Sequence, residues 1–211
     1  MGHDFSAHRI NYGSYQPLSE HNIDQNPFKQ FKHWMADALD SKDIREAYAM
    51  YLATADTQCR PSIRTLLLRE YSTEGFVFYT NYESRKGLEI TANPRVALLF
   101  YWEPLERQVR IEGEIVKLEE EKSENYFNSR PEESQYSAMI SPQSRVIESR
   151  SWLVKQLDLA MQQKAKRPGH WGGYLVKPDY FEFWQGGAHR LHDRIAYHRE
   201  EADWHINRLA P

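Results

Sequence analysis

Two clusters of cationic side chains stand out, because their neighbours do not neutralise them in any obvious way. Ser84-Arg85-Lys86 opens a short helical stretch that runs to Asn93. Cations in a first turn oppose the helix dipole, which prefers anions there by about 0.3–1 kcal/mol per charge. Free backbone N–H groups and two cations at one helix end make a phosphate site. The plainer alternative is that both side chains bend into solvent. The second cluster is Arg190-Leu191-His192-Asp193-Arg194. Read as a strand, it sends Arg190, His192 and Arg194 to one face and Leu191 and Asp193 to the other. Such a row repels itself unless an anion or an electron-rich ring lies across it. An exposed edge strand neutralised by Asp193 and nearby acids competes with that reading.

Further groups are weaker when taken singly. Arg64 and Arg69 bracket the apolar run Thr65-Leu66-Leu67-Leu68. An odd separation sends them to opposite faces of a regular strand, so a shared pocket requires a bulge or requires Arg69 to lie beyond the strand end. Arg69 pairing with Glu70 is the bland option. Tyr126 and Arg130 are helical neighbours, with Ser134 just past Pro131, and together they can cup a phosphate. Taken alone, an arginine that merely satisfies the helix end is the stronger reading. Gln143-Ser144 falls in a loop. The glycine-rich nucleotide loops and the G-x-S-x-G elbow are missing, and Cys59 alone supports no disulfide or cysteine-based metal site. Gly172-Gly173 and Gly186-Gly187 read as bulges or places of close backbone approach.

The elements that must position these groups follow from periodicity. Residues 1–25 show no period and read as a flexible N-terminal arm, with 26–211 forming a single domain. Asn26-Pro27 is a helix start, and Phe28, Phe31, Met35, Ala38 and Leu39 repeat at helical spacing over 27–40. AYAMYLATA, SIRTLLLRE and FVFYT read as a three-strand meander. A helix over 84–93 follows, then the strands RVALLFYW and RQVRIEGEIVKL. In the latter, Val109, Ile111 and Ile115 face opposite to Gln108, Arg110, Glu112 and Glu114. Helices are predicted over 119–129, 131–139 and 149–166. Four strands follow: WGGYLV, YFEFWQ, RLHDRIAYH and DWHINRL. The fold class is therefore α+β, a barrel or sandwich of antiparallel strands with helices inserted. With 28 aromatic rings in 211 residues a packed core is expected, and a net charge of -3 argues against a nucleic-acid module. No run of about 18 apolar residues occurs, and cysteine is scarce, so a cytoplasmic location is expected.

Taken together the segments resemble the pyridoxine/pyridoxamine 5′-phosphate oxidase family, from about Arg9 to Pro211. The most specific stretch is WGGYLVKPDYFEFWQGGAHRLHDRIAYHRE, closing in INRLAP. RPSIRTLLLRE, FVFYTNYESRKG, NPRVALLFYW, LERQV and YFNSRPEESQ agree in order and spacing. The resemblance implies an FMN-binding split β-barrel working as a homodimer with flavin at the interface. It implies FMN contacts from Arg64, Tyr79, Thr80, Arg85, Lys86, Gln108, Gln143, Ser144, Trp184 and Arg194. Substrate contacts are implied for Arg69, Tyr126, Arg130, Ser134, Arg190 and His192, with Arg9 and Tyr12 on an arm that closes over the site. Arg190 and His192 are the implied catalytic pair. The implied reaction oxidises the C4′ alcohol or amine carbon of pyridoxine or pyridoxamine 5′-phosphate, passing hydride to flavin N5. Oxygen then returns as hydrogen peroxide, and ammonia leaves the amine substrate. The family usually carries lysine where Arg69 stands, and a turn glycine where Cys59 stands. Another flavin reductase on the same barrel and a non-catalytic pyridoxal-phosphate carrier are the competing expectations.

Overall fold

The computed structural model describes residues 2–8 and 10–211, so Arg9 lies outside the described residues. Helix α1 spans Pro27–Asp40, followed by β1 (Ala49–Ala55), β2 (Pro61–Leu67), β3 (Glu70–Ser72) and β4 (Gly75–Asn81). Next come α2 (Arg85–Ala92), β5 (Arg95–Trp102) and β6 (Arg107–Lys117). Three helices follow, α3 (Glu120–Ser129), α4 (Glu132–Ile140) and α5 (Arg150–Ala160). The chain ends with β7 (Trp171–Gln185), β8 (Asp193–Glu200) and β9 (Asp203–Leu209). The strands run in the order β2-β1-β5-β6-β7-β4-β3, and β8 joins β7 to β9. Among the described residues no helix is long and apolar enough to cross a membrane.

The chain divides into two compact units. The first contains residues 1–50, 98–112 and 179–211. Its α1 starts where Asn26 Oδ1 accepts from the N–H groups of Phe28 and Lys29, as an N-cap should. The helix buries one aromatic stripe. Phe31 meets Phe100 with ring centroids 5.1 Å apart, Trp34 meets Phe183 at 5.2 Å, and Phe28 meets Phe181 at 5.2 Å. Trp102 lies beneath and donates its indole N–H to the Ala47 carbonyl at 2.9 Å. The expected alternation in β6 is present, with Val109, Ile111 and Ile115 buried.

The second unit contains residues 51–97 and 113–178. Here β4 pairs antiparallel with the first half of β7, from Phe76↔Val176 to Asn81↔Trp171. Gly173 must be a glycine: a Cβ there would sit 2.5 Å from Leu118 Cδ1 and 2.8 Å from the Tyr79 ring. That is the close approach expected of the Gly172-Gly173 pair.

Four expectations need correction. The meander is broken, because SIRTLLLRE is not one strand: the chain leaves β2 after Leu67 and begins β3 at Glu70. As a result β2 pairs with β1, whereas β3 pairs with β4. WGGYLV and YFEFWQ form a single 15-residue strand that passes through Pro178. Proline reads as a strand breaker because it cannot donate a ladder hydrogen bond. Here Gly113 lies against that stretch, where a side chain would come within 2.2 Å of the Lys177 carbonyl oxygen. Helix α5 stops at Ala160 instead of 166, since QQKAKRP offers almost nothing apolar to bury. Finally, RLHDRIAYH is strand only from Asp193; residues 188–190 form a 3₁₀ turn with His189 and Arg190 at φ 55 and 64. The common-face argument for Arg190, His192 and Arg194 therefore fails.

Cys59 adopts φ 60 in the Asp56–Arg60 turn, whose Cys59 N–H donates to the Asp56 carbonyl at 2.9 Å. The turn thus keeps the left-handed conformation that glycine adopts without penalty. Phe31 is fully buried between α1 and the strand carrying Phe100 and Trp102. Phe31→Ala should cost about 3–5 kcal/mol, read as a lower urea midpoint with an unchanged slope.

Candidate active site

The head of α2 gathers three cations in the second unit. Ser84 caps the helix, its Oγ accepting from the Gly87 N–H and donating to the Asn81 carbonyl at 2.6 Å. Lys86 is buried, and its Nζ donates to Gln143 Oε1 at 2.7 Å, Ser84 Oγ at 3.1 Å and Thr80 Oγ1 at 3.2 Å. All three partners are neutral. Burial and the nearby Arg64 charge pull the Lys86 ammonium down to about 8. Arg64, on β2, donates to the Leu52 carbonyl at 2.9 Å, Thr54 Oγ1 at 2.6 Å and Ser62 Oγ at 2.5 Å. Arg85 is largely exposed, and its Nε donates to Glu89 Oε1 at 2.7 Å. The solvated alternative for Ser84-Arg85-Lys86 thus fails for Lys86 and holds only in part for Arg85. An open cleft of about 640 Å³ runs past Arg85, Gln143 and Ser144, the last at φ 71.

A second cleft of about 490 Å³ is lined by Asn81, Arg130, Ser141, Gln143, Leu153 and Trp171. Gln143 lines both. Arg130 is the C-cap of α3 and is extended, so it is not on the same helix as Tyr126, as expected, but just past its end. Its guanidinium lies 4.6 Å over the Trp171 ring, and its Nη1 is buried with no hydrogen-bond partner among the described residues. Tyr126 stacks on Tyr79 with centroids 3.8 Å apart and planes 15° apart, and Tyr79 lies parallel to Trp171 at 5.6 Å. Burial pushes the Tyr79 phenol up to about 12. Ser134 lies in the first turn of α4, where its N–H donates to the Pro131 carbonyl at 2.9 Å. Arg69 lies beyond the end of β2, its N–H donating to the Val77 carbonyl at 2.9 Å. This resolves the odd spacing from Arg64 without a bulge. Burial lowers the Arg130 pKa, and the positive charge of Arg69 lowers it further.

In the first unit, Trp184 and Arg194 face each other across the β7–β8 ladder. Arg194 donates to Glu182 Oε1 at 2.8 Å and to the Ala210 carbonyl at 2.8 Å. Gln108 lies half-buried on β6. His192 packs 4.8 Å from Trp184, and Tyr12 meets both rings edge-on at 5.7 and 5.8 Å. The Gly187 N–H donates to His192 Nδ1 at 3.1 Å, which leaves Nε2 as the N–H of the neutral ring. Arg190 is exposed, next to His189 in the same left-handed turn. Ahead of α1, the Gly13 and Ser14 N–H groups donate to Glu106 Oε2 at 2.7 and 3.2 Å.

Residues 36–163 match the pyridoxamine 5′-phosphate oxidase family, and residues 171–211 match the pyridoxine 5′-phosphate oxidase C-terminal dimerisation region. The chain belongs to the pyridoxamine 5′-phosphate oxidase family. It is an enzyme of the oxidase class. It is 50% identical over 208 residues to the pyridoxine/pyridoxamine 5′-phosphate oxidase of Paraburkholderia phytofirmans, covering 96% of this chain and 97% of that one. Identity to the pyridoxine-5′-phosphate oxidase of Bos taurus is 46%, covering 90% and 80%. Among solved structures, PhzG from Burkholderia lata 383, in complex with tetrahydrophenazine-1-carboxylic acid, superposes with a TM-score of 0.87 at 32% identity, covering 94% and 100%. A pyridoxamine 5′-phosphate oxidase-related, FMN binding protein from Nostoc punctiforme PCC 73102 superposes at 0.70 with 17% identity, covering 86% and 97%, and shares the fold. The split β-barrel expected from the sequence is thus the fold of this family member.

Sequence reasoning missed the acids that hold the arginines of this oxidase-family chain. Glu89 accepts from Arg64 and Arg85, and Glu182 accepts from Arg194 and, at 3.0 Å, from Arg110. The four-residue spacing from Arg85 to Glu89 carries a helical ion-pair signal. Nothing local links Glu182 to Arg194, which meet only across a strand pair. Asn81 was also unmarked, though it is buried and donates to the Ser141 carbonyl at 3.2 Å.

Lys86 sets a pH dependence. Its pKa is about 8 in the folded chain against an ordinary 10.5. Between these values the unfolded chain binds the extra proton, so the stability contributed by this group rises with pH. From pH 7.5 to 10 the ligand-free protein should gain about 2–3 kcal/mol relative to Lys86→Met, read from urea midpoints. A constant difference across that range would show that the ammonium is not desolvated.

Proposed function

We propose that this chain is an FMN-dependent oxidase that converts pyridoxine 5′-phosphate and pyridoxamine 5′-phosphate to pyridoxal 5′-phosphate. The observation that carries this reading is the pair of separate anion sites in the second unit. One is the buried Lys86 ammonium with only neutral partners, flanked by Arg64 and Arg85. The other is Arg130 with a buried, unpartnered Nη1 beside Tyr126. Two phosphate-bearing molecules, a flavin mononucleotide and a vitamin phosphate, account for both. The donor set at α2 suits a phosphate dianion: three cations against one carboxylate, at the N-terminal end of a helix.

On this reading Arg64, Arg85, Lys86, Thr80, Gln143 and Ser144 bind the FMN phosphate and its surroundings, with Tyr79, Gln108, Trp184 and Arg194 as further contacts. Arg69, Tyr126, Arg130 and Ser134 hold the substrate phosphate. Bound FMN supplies the hydride acceptor. The alcohol with oxygen gives aldehyde and hydrogen peroxide; the amine with oxygen and water gives these and ammonia. Arg190 covers the pyridine ring from its left-handed turn, a strained position of the kind that clusters at active sites. His192 offers its Nε2–H to the reacting substituent or the ring oxygen. Residues 1–25 act as the closing arm, a role supported by Tyr12 packing against Trp184 and His192. The match of residues 171–211 to a dimerisation region supports a homodimer.

Purified FMN-loaded protein should form aldehyde and peroxide in equal amounts from either phosphate under air. Bound flavin with neither product would indicate a different reductase on this fold, and absence of flavin binding would favour the carrier. Arg130→Ala should raise KM for the phosphorylated substrate by about ten- to a hundredfold with smaller change in kcat, since it removes ground-state phosphate binding. Arg190→Ala should lower kcat while flavin stays bound.

A further inference from the structure

Glu89 takes no part in the proposed chemistry, yet both of its carboxylate oxygens are engaged by hydrogen-bond donors. It lies one turn into α2, about 5% exposed. Its Oε2 accepts from Thr54 Oγ1 at 2.5 Å, Ser62 Oγ at 2.6 Å and Arg64 Nη2 at 3.2 Å. Its Oε1 accepts from Arg85 Nε at 2.7 Å. Those hydrogen bonds, with the Arg85 charge, outweigh burial and hold the carboxyl at about 2. It is therefore an anion at any working pH.

We propose that Glu89 is the positioning residue that makes this oxidase select a phosphorylated flavin, by fixing the Arg64 and Arg85 guanidiniums at the head of α2. The inference rests on the reading of that helix end as the flavin phosphate site. The two arginines depend on Glu89 to different degrees. Arg64 is also held by the Leu52 carbonyl and the Thr54 hydroxyl. Arg85 has 60% of its side chain exposed, and Glu89 is its ion-pair partner. Without that carboxylate, Arg85 keeps its charge and loses its fixed direction. Ordering a long side chain on binding then weakens the phosphate contact. A glutamine does not replace the acid. Its amide nitrogen is a donor, and it would face arginine N–H groups that cannot accept.

The effect is specific to the phosphate, and this supplies the test. Flavin fluorescence quenching would give Kd for FMN and for riboflavin, which lacks the phosphate, on wild type, Glu89→Gln and Glu89→Asp. Glu89→Gln should raise the FMN Kd tenfold or more and change the riboflavin Kd less than twofold. Glu89→Asp, which keeps the charge on a shorter stem, should recover part of the FMN affinity. It also carries the test if Glu89→Gln does not fold, as checked by thermal melting: its FMN Kd should then exceed wild type by at least threefold at constant riboflavin Kd. Equal weakening of both flavins would overturn the proposal, making Glu89 a structural residue only. Unchanged or tighter FMN binding would overturn it too, because the lost negative charge would then be the dominant effect. Failure of wild type to bind FMN at all would instead remove the phosphate-site reading, and this inference with it.

Discussion

An ammonium group shut away from water, with neutral oxygens as its hydrogen-bond partners, is the constraint around which the second unit is organised. Lys86 occupies that position, and desolvation of its charge costs several kcal/mol unless the group deprotonates or gains an anion. Much of the surrounding structure brings partners to it. Ser84 serves twice, as the cap of α2 and as an acceptor for Nζ. Thr80 comes from the strand that pairs with β7, and Gln143 comes from a loop 57 residues beyond Lys86. The Gly87 position allows the helix to start so close to Tyr82 that a Cβ would lie 2.1 Å from its carbonyl oxygen. This arrangement of backbone and side chains holds a cation in a dry place.

In the first unit several arginines are already paired with acids. Arg194 and Arg110 share the buried Glu182. Arg208 bridges Glu20 and Asp193, which fixes the start of β8 and, through the Leu18 N–H bond to Asp193 at 3.1 Å, the end of the arm. Arg190, by contrast, is exposed, in consecutive left-handed residues. A regular strand through Arg190 would have used its side chain as one of a row. The turn instead displays it singly, two residues before His192, whose ring is oriented by Gly187 and packed on Trp184. Strain of about 1–2 kcal/mol per left-handed residue is tolerated because the flanking β7–β8 ladder is continuous.

Elements with strong periodicity or clear caps were legible. α1 and α2 were readable from Asn26-Pro27, Ser84 and Asn93, and β6 from its alternation. Their signals are local, so one chain stretch suffices. The three-strand meander was not, because its failure depends on the two residues Leu68-Arg69 and on which strand each side then finds. The 15-residue β7 was hidden by Pro178, whose tolerance depends on a glycine in another strand. The same division holds for the site. Arg85-Lys86 was conspicuous because unneutralised charge is visible in sequence, whereas Arg130 on its own reads as an ordinary helix-end arginine and gains a role only with the family resemblance. Glu89 and Glu182, which hold the arginines, were not, since acids are common and their partners are set by tertiary contact. Gln143 looked weak in its loop and proves to line both clefts.

Arg69 shows how a departure from the usual residue can be absorbed. A guanidinium is larger than an ammonium and keeps a planar fork, so exchange inside a packed strand forces rearrangement. Arg69 is not inside one. Its backbone is past the last residue of β2, its N–H is tied to Val77, and its side chain is exposed, which gives the fork room to turn. Its charge still reaches Arg130, whose pKa it lowers by repulsion. On the reading proposed above, Arg69 and Arg130 share one phosphate near the stack of Tyr79, Tyr126 and Trp171, and the anion then removes their repulsion as well as pairing with each. A lysine at 69 would supply the same repulsion and the same relief. On that reading the position calls for a positive charge at the strand exit more than for a particular shape.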